Sequence, residues 1–235
     1  AVCRRFGEAG AQVAVFDINQ DAAEKVAGEI RDAGGKAQAF AVDLTSQESV
    51  VAAVNAAEAA LGPTDVLVNN AGWDHAAPFL KTDKPLWEKI VAVNLYGALY
   101  MPHAVLPGMS ARGHGRVINV ASDAARVGSS GEAVYAFCKG GLVSFSKTMA
   151  RELARKQINV NVVCPGPTDT ALFRDFAGEG EKGEKLKDAL TKAIPFGRLG
   201  QPDDLAGIIA FLSSDEAAFI TGQVISVSGG LTMAG

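Results

Sequence analysis

Two side chains four residues apart could together move a proton. Tyr135 and Lys139, in the run VYAFCKGG, fall on one face of a predicted helix because of that spacing. A tyrosine is a poor acid–base group near neutral pH, since its pKa is about 10, but a neighbouring ammonium stabilises the phenolate and lowers that pKa. Ser122, at the end of a predicted strand before them, could hold a substrate oxygen near the phenol. Together these groups suit proton transfer at an alcohol oxygen while a hydride moves at its carbon.

The elements that must position these residues alternate along the chain. Apolar runs predict six strands, at Gln12–Asp17, Lys36–Asp43, Asp65–Asn69, Arg116–Ala121, Asn159–Cys164 and Gln223–Ser228. Most of these runs are continuously apolar and rich in valine, as is typical of strands that are buried on both faces. Helical patterns lie between them, at residues 22–33, from the capping-box run Thr45–Glu48 onward, and at 83–110, 134–156 and 202–213. This alternation predicts an α/β fold: one domain over residues 1–235, with a doubly wound parallel sheet and helices on both faces.

The segment at about residues 171–193 differs from the rest because it is charged and contains several glycines. This composition predicts a mobile surface loop with some helix, which could act as a lid over a substrate. Its lysines and glutamates offset one another, so it predicts no strong attraction for an anion.

Polar or turn-forming residues follow most of the predicted strands: Asp17, Asp43, Asn69–Gly72, Ser122 and Pro165–Gly166. The carboxyl ends of the strands in an open parallel sheet form the edge where ligands bind. One acid after a strand is commonly a helix cap, but five polar endings on one edge predict a binding crevice.

Asp17 carries a further expectation about the start of the chain. In dinucleotide-binding units, an acid at the end of the second strand bonds the adenosine ribose, about 20 residues after a glycine-rich turn. Counting back from Asp17 places that turn before Ala1. We therefore expect that the first strand, which would lie mid-sheet, and its glycine-rich loop are missing from this chain. The alternative is that Gln12–Asp17 is an outer strand of a complete sheet.

The motifs together resemble the short-chain dehydrogenase/reductase family over essentially the whole chain. The Tyr-x-x-x-Lys spacing alone is weak, because helices offer it by chance, but a strand-end serine and an earlier Asn-Asn-Ala-Gly make it specific. The matching stretches are Asp43, NNAG at 69–72, Asn94 in VNLYG, Ser122, Tyr135 with Lys139, PGPTDT at 165–170 and ITGQVISVSGG near the end. The resemblance implies a Rossmann fold and an NAD(P)-dependent oxidoreductase.

The resemblance also implies roles for individual residues. Tyr135 would be the acid–base residue, and Lys139 would lower its pKa and hold the nicotinamide ribose. Ser122 would orient the substrate oxygen, and Asn94 would hold a water in a proton relay.

The resemblance implies a second set of residues, which would contact the cofactor. These are Asp17 and Ile18, Asp43 and Leu44 at the adenine, Asn70, Ala71 and Gly72 at the adenosine ribose side, Pro165, Gly166 and Thr168 at the nicotinamide, Thr170 near the phosphates, and Tyr135 and Lys139. Asp17 would select NAD over NADP, because an acid repels a 2′-phosphate. Thr168 departs from the branched aliphatic residue that is common there.

Three functions remain open from the sequence. The stretches SDAARVGSSGEAVYAFCKGG and KAIPFGRLGQPDDLAG resemble members of the family that act on alicyclic acyl-CoA thioesters. That resemblance implies oxidation of a secondary alcohol on a cyclic 2-hydroxyacyl-CoA, such as 2-hydroxycyclohexanecarboxyl-CoA. An enzyme alternative is a reductase of 3-oxoacyl thioesters on CoA or acyl carrier protein, against which Asp17 argues because such reductases usually use NADPH. A third alternative is a non-catalytic binding protein on the same fold, if the glycine loop is truly missing.

Composition limits the partners. The formal net charge of −4 argues against nucleic acid or an acidic membrane as the main partner. No apolar run is expected to span a bilayer, and the three scattered cysteines predict neither a metal site nor a disulfide framework, which suits the cytoplasm. Asp74 and His75 are expected to be exposed loop residues. The family resemblance implies a homotetramer.

Overall fold

The computed structural model describes residues 1–178 and 180–234, with only the backbone of Lys182. All six predicted strands are present within two residues of their predicted ends: β1 Gln12–Asp17, β2 Lys36–Ala41, β3 Val66–Asn69, β4 Gly115–Val120, β5 Ile158–Pro165 and β6 Val224–Val227. The helices are α1 Val2–Glu8, α2 Gln20–Asp32, α3 Gln47–Leu61, α4 Lys84–Val91, α5 Gly97–Arg112, α6 Ala124–Val127, α7 Ala133–Leu153, α8 Ala171–Ala177, α9 Gly180–Ala193 and α10 Pro202–Ser213.

The strands form two parallel sheets. One has β1 beside β2, and the other has the order β3-β4-β5-β6. No ladder joins β1 to β3 in the described part of the chain, so the parallel arrangement is confirmed but its continuity is broken between these two strands. The break lies where we expect the additional central strand inferred from Asp17. The presence of that strand stays a prediction.

Helices cover both faces of the larger sheet, as predicted. Alternate residues of β4 show this directly, because Val117 packs with α3, α5 and α7 whereas Ile118 packs with α10. A third cluster joins α2 to β1 and β2. Every residue of β4 is buried, and so are the first seven of β5, which explains why their sequences are rich in valine and isoleucine.

Side-chain caps start the helices that follow β1 and β2. Asn19 accepts a hydrogen bond from the Ala22 N–H at the start of α2. Ser46, rather than Thr45, caps α3 by accepting from the Ser49 N–H at 3.2 Å. The predicted capping box is therefore replaced by a simple cap one residue later, and both Thr45 donors bond to Asp43 instead.

A single helical stretch runs from Lys84 to Arg112 and is long and apolar enough to cross a bilayer by length and composition alone. The expectation that no run reaches this length was therefore wrong. Within it, Met101, Val105 and Met109 are buried against the sheet, as in the core helix of an α/β domain. The stretch contains a π turn at Ala92–Tyr96 that separates α4 from α5.

The predicted lid segment is mostly helical, in α8 and α9, rather than a loop with some helix. Thr170 starts α8 by accepting from the Phe173 N–H at 3.1 Å. The chain after β6 packs on the end of α9, where the Phe196 N–H donates to the Gly229 carbonyl at 3.1 Å. Motion of this segment stays a prediction.

Candidate active site

The carboxyl ends of β3 and β4 are tied to α7 by a chain of buried amides and a hydroxyl. Asn69 donates to Asn119 at 2.7 Å, Asn119 donates to Ser146 at 2.8 Å, and Ser146 donates to the Leu142 carbonyl. Because both strand ends and the helix share these bonds, the predicted catalytic residues on them have fixed relative positions.

Lys139 and Tyr135 are both buried on the same face of α7, as the spacing predicts. The Lys139 Nζ donates to the Val120 carbonyl at 3.0 Å and lies 5.6 Å from the centroid of the Tyr135 ring. Burial lowers the pKa of Lys139 to about 8. The residue thus retains a proton over much of the neutral range although its side chain is enclosed.

The pKa of Tyr135 lies above its ordinary value, and not below it as the sequence led us to expect. The largest cause is burial, followed by the negative charges of Glu132 and Asp74. A hydrogen bond with the Ser122 side chain acts in the opposite direction. The Lys139 ammonium is directed to the Val120 carbonyl and does not offset these effects.

Asn94 is buried in the π turn and connects it to the loop after β3. Its Nδ2 donates to the Trp73 carbonyl at 2.6 Å and to the Ile90 carbonyl at 2.9 Å, while its Oδ1 accepts from the Trp73 N–H at 3.2 Å. Both side-chain N–H groups are thus used within the protein. The role in a water relay stays a prediction, and these N–H groups are not available for it.

Ser122 lies just beyond β4, on the side of Tyr135. Its Oγ accepts from the Ala124 N–H at 3.1 Å, which orients the hydroxyl at the start of α6. The next residue, Asp123, is buried and accepts from the Ser226 hydroxyl. Arg126 donates to the same hydroxyl at 2.8 Å and also to the Ala234 carbonyl, so the serine loop is fixed to β6 and the chain after it.

The predicted adenosine contacts lie at the ends of the smaller sheet. Asp17 and Ile18 are exposed, and the Asp17 Oδ1 accepts from the Asn19 N–H at 2.9 Å. Asp43 is half-buried, and its pKa is lowered by hydrogen bonds from Thr45. Leu44 packs between the core and Gly97.

The predicted contacts on the larger sheet lie on two loops. Asn70, Ala71 and Gly72 are exposed after β3. Gly166, after β5, packs so closely that a Cβ there would lie 2.7 Å from the Ser228 Cβ. Thr168 donates to the carbonyl of Gly166 at 2.9 Å, and Thr170 caps α8. Pro165 ends β5 beside Ser122, since its carbonyl accepts from the Asp123 N–H.

Sequence reasoning missed two acids next to Tyr135. Asp74 is not an exposed loop residue, since both its carboxylate oxygens are buried without a hydrogen-bond partner in the described part of the chain. Glu132 directly precedes α7. The only signals in the sequence were that Asp74 closely follows the NNAG motif and that Glu132 lies three residues before Tyr135. Within residues 1–178 and 180–234, no group of three or more His, Cys, Asp and Glu is placed to hold a metal ion.

Comparison with known proteins places this site in a family. A family model described as enoyl-(acyl carrier protein) reductase matches residues 1–232. The chain belongs to the short-chain dehydrogenase/reductase family. This short-chain dehydrogenase/reductase is therefore an oxidoreductase of a family that uses NAD(P).

Three relatives illustrate the range of the family. The acetoacetyl-CoA reductase of Shinella zoogloeoides is 43% identical over 189 residues, which are 80% of this chain and 76% of the relative. The inactive 2-(S)-hydroxypropyl-CoM dehydrogenase 2 of Xanthobacter autotrophicus is 40% identical over 98% of this chain and 99% of its own length. The gluconate 5-dehydrogenase of Burkholderia cenocepacia, solved with NADP and tartrate, has a TM-score of 0.92 at 36% identity and covers 100% of this chain and 90% of its own.

Proposed function

We propose that this short-chain dehydrogenase/reductase interconverts a secondary alcohol and a ketone on a CoA thioester, with NAD as its cofactor. The proposed substrate is a cyclic 2-hydroxyacyl-CoA such as 2-hydroxycyclohexanecarboxyl-CoA. The observation that carries the proposal is the convergence of Ser122, Tyr135 and Lys139 at the carboxyl ends of β4 and β5. A phenol, a hydroxyl and an ammonium held together on rigid elements suit acid–base chemistry at an alcohol oxygen.

The chain's own residues would handle the proton and the oxygen. Ser122 would donate a hydrogen bond to the substrate oxygen, and Tyr135 would take the hydroxyl proton during oxidation or return it during reduction. Lys139 would stabilise the phenolate that forms. When bound, NAD supplies the hydride acceptor, so that alcohol and NAD⁺ give ketone, NADH and one proton.

The residues present fit a dinucleotide. Gly72 and Gly166 let backbone lie close to the site, since a Cβ on either would collide with a neighbour. Asp17 would hold the adenosine ribose, Asp43 and Leu44 the adenine, and residues 70–72 and 165–170 the remaining contacts. The acid at position 17 favours NAD, whereas the solved relative with NADP makes the choice between the two a matter for direct measurement.

A reductase of 3-oxoacyl thioesters is the second candidate within the family. The 43% identity to an acetoacetyl-CoA reductase supports it, and supports a CoA thioester in general. The same acid–base residues would serve, because oxidation and reduction share one transition state. The two candidates differ in the acyl group of the substrate, which is linear for this reductase and cyclic for the proposed dehydrogenase.

A non-catalytic protein on the same fold is the candidate from another class. One observation favours it: the 40% identity to a protein named inactive. Against it, Ser122, Tyr135, Lys139 and Asn94 are all present and brought together. Binding of NAD without turnover would support this candidate.

We further propose a homotetramer in the cytoplasm. Large apolar side chains remain exposed on the single chain, with Phe137 on α7 at 68% and Phe219 before β6 at 104% relative exposure. Burial of such side chains between copies would stabilise an assembly.

The test follows NADH absorbance with NAD and racemic 2-hydroxycyclohexanecarboxyl-CoA, and with 3-hydroxybutyryl-CoA in parallel. Preference for the ring substrate would support the proposed reaction, and activity on the linear thioester alone would replace it with the second candidate. Tyr135→Phe should abolish turnover and largely preserve NAD binding, whereas Tyr96→Phe on the exposed face should leave turnover unchanged. Near-normal turnover in Tyr135→Phe would exclude the proposed acid–base role.

A further inference from the structure

A small cavity lies between the loop after β3 and the start of α7, where its lining reaches Val134, the residue before Tyr135. Its walls include Asp74, Ala77, Gly131 and Glu132. The two loops are joined by a hydrogen bond from the Ala77 N–H to the Gly131 carbonyl at 2.9 Å. This bond brings two acids from distant parts of the sequence to one place.

Asp74 and Glu132 both line this cavity. Both oxygens of Asp74 are buried and have no hydrogen-bond partner within the described residues. Burial raises the pKa of Asp74 to about 6, the backbone of His75 lowers it, and the charge of Glu132 raises it again.

Both acids act on the phenol. Glu132 precedes Tyr135 by one helical turn, and each of the two carboxylates makes ionisation of the phenol less favourable. The elements packed against Tyr135 contribute other titratable groups: Cys138 and Lys139 on α7, Cys164 on β5, Arg126 on α6, Lys89 on α4, and His75 in the loop after β3. Arg126 is bonded to Ser226, and the Lys89 Nζ lies over the Trp73 ring at 3.7 Å, so neither is directed at the phenol.

We propose that Asp74 and Glu132 are positioning residues that act through Tyr135: their negative charges oppose formation of the phenolate and displace alcohol oxidation to more alkaline pH. This inference rests on the proposed function, because it assigns Tyr135 the acid–base role. No contact of either acid with substrate is required. The effect is electrostatic, so neutral residues of the same shape should remove it.

The test compares pH profiles of kcat/KM for alcohol oxidation in the wild type, Asp74→Asn, Glu132→Gln and the double variant. Oxidation requires the phenolate, so the acidic limb should move to lower pH in each variant, by on the order of one pH unit. At a pH well below the midpoint this is a gain of about tenfold in kcat/KM, because one pKa unit is a tenfold change in the ionised fraction. Asp74→Glu keeps the charge and should keep the wild-type midpoint.

Glu152→Gln is the matched control, since it removes the same charge from an exposed position of the same helix. Position 152 is about 25 Å along α7 from Tyr135, beyond the distance over which a surface charge acts at physiological salt. Its profile should match the wild type. Lower kcat with an unchanged midpoint in Asp74→Asn and Glu132→Gln would overturn the proposal, because a purely structural role predicts that result.

A second readout does not require turnover. The protein has three tyrosines, so ultraviolet difference absorbance against Tyr135→Phe isolates the phenolate of Tyr135. The double variant should form this phenolate at lower pH than the wild type, and an identical titration would overturn the proposal. If the wild type oxidises no alcohol, the proposed function fails, and this titration still decides the electrostatic role.

Discussion

The backbone of Gly72 lies directly against the side chain of Asn94. A Cβ at position 72 would be 2.9 Å from the Asn94 Oδ1 and 3.4 Å from the Lys139 Nζ. The loop after β3, the π turn and α7 therefore meet at one point where no side chain fits.

We expect Gly72→Ala to lower both stability and activity. The Asn94 side chain cannot move aside easily, because three hydrogen bonds to Trp73 and Ile90 hold it. Overpacking of this kind costs about 1–3 kcal/mol, which urea unfolding would measure. Gly207→Ala on α10 is the control, since a Cβ there meets no atom within 4 Å, and it should not destabilise the protein. Equal stability of the two variants would contradict the observed packing.

Asp74→Asn should stabilise the protein at neutral pH. The pKa of Asp74 in the folded chain, about 6, exceeds the ordinary 3.8, so the folded state binds the proton more tightly. That contribution to stability is complete below the ordinary value and is lost as the pH rises through about 6. The advantage of Asp74→Asn over the wild type should therefore appear across this interval and reach at most about 3 kcal/mol above it, since one pKa unit corresponds to about 1.4 kcal/mol. Unfolding curves at several pH values measure it, and a difference independent of pH would show that Asp74 is not perturbed.

Asp17→Ala should weaken NAD binding and relax discrimination against NADP. Because the Asp17 carboxylate also accepts from the Asn19 N–H, the change removes a turn contact as well. Asn19→Ala, which removes the cap of α2, serves as the control for that structural part. Titration of both variants with NAD and NADP gives the ratio of dissociation constants. A ratio unchanged in Asp17→Ala would mean that the acid only orders the turn.

Ser146→Ala should destabilise the protein by about 1–3 kcal/mol, because the buried Asn119 amide loses its acceptor. Thr148→Ala removes a similar hydroxyl from an exposed position of the same helix, where it donates to the Ser144 carbonyl. That variant should change stability by less than about 0.5 kcal/mol. Thermal unfolding of both would test whether the buried chain of polar groups stabilises the site.

Much of the fold was predictable from the sequence because the signals are local. Valine-rich runs such as β4 and β5 are buried on both faces, and polar residues within them such as Asn119 and Asn161 form hydrogen bonds inside the protein. Tyr135 and Lys139 were predictable as a pair because helical spacing alone places them on one face.

The environment of Tyr135 was not predictable, because it depends on contacts between distant segments. Asp74 becomes buried only where its loop bonds to Gly131, more than fifty residues later in the chain. We expected a lower phenol pKa because the sequence places Lys139 near Tyr135. The fold also brings Asp74 and Glu132 near the phenol, and their charges raise that pKa. The π turn was likewise hidden within a long helical pattern.

The π turn at Ala92–Tyr96 changes the rotation of α5 about the helix axis relative to α4, although the two form one continuous helical stretch. Each residue advances an α-helix by about 100°, so the extra residue lets Asn94 point at the loop after β3 while Met101, Val105 and Met109 still face the sheet. Deleting any one residue of this turn would rotate α5 relative to α4 by about that angle and move its apolar side away from the core. The length of this turn should thus be as tightly constrained as the identity of Asn94 within it.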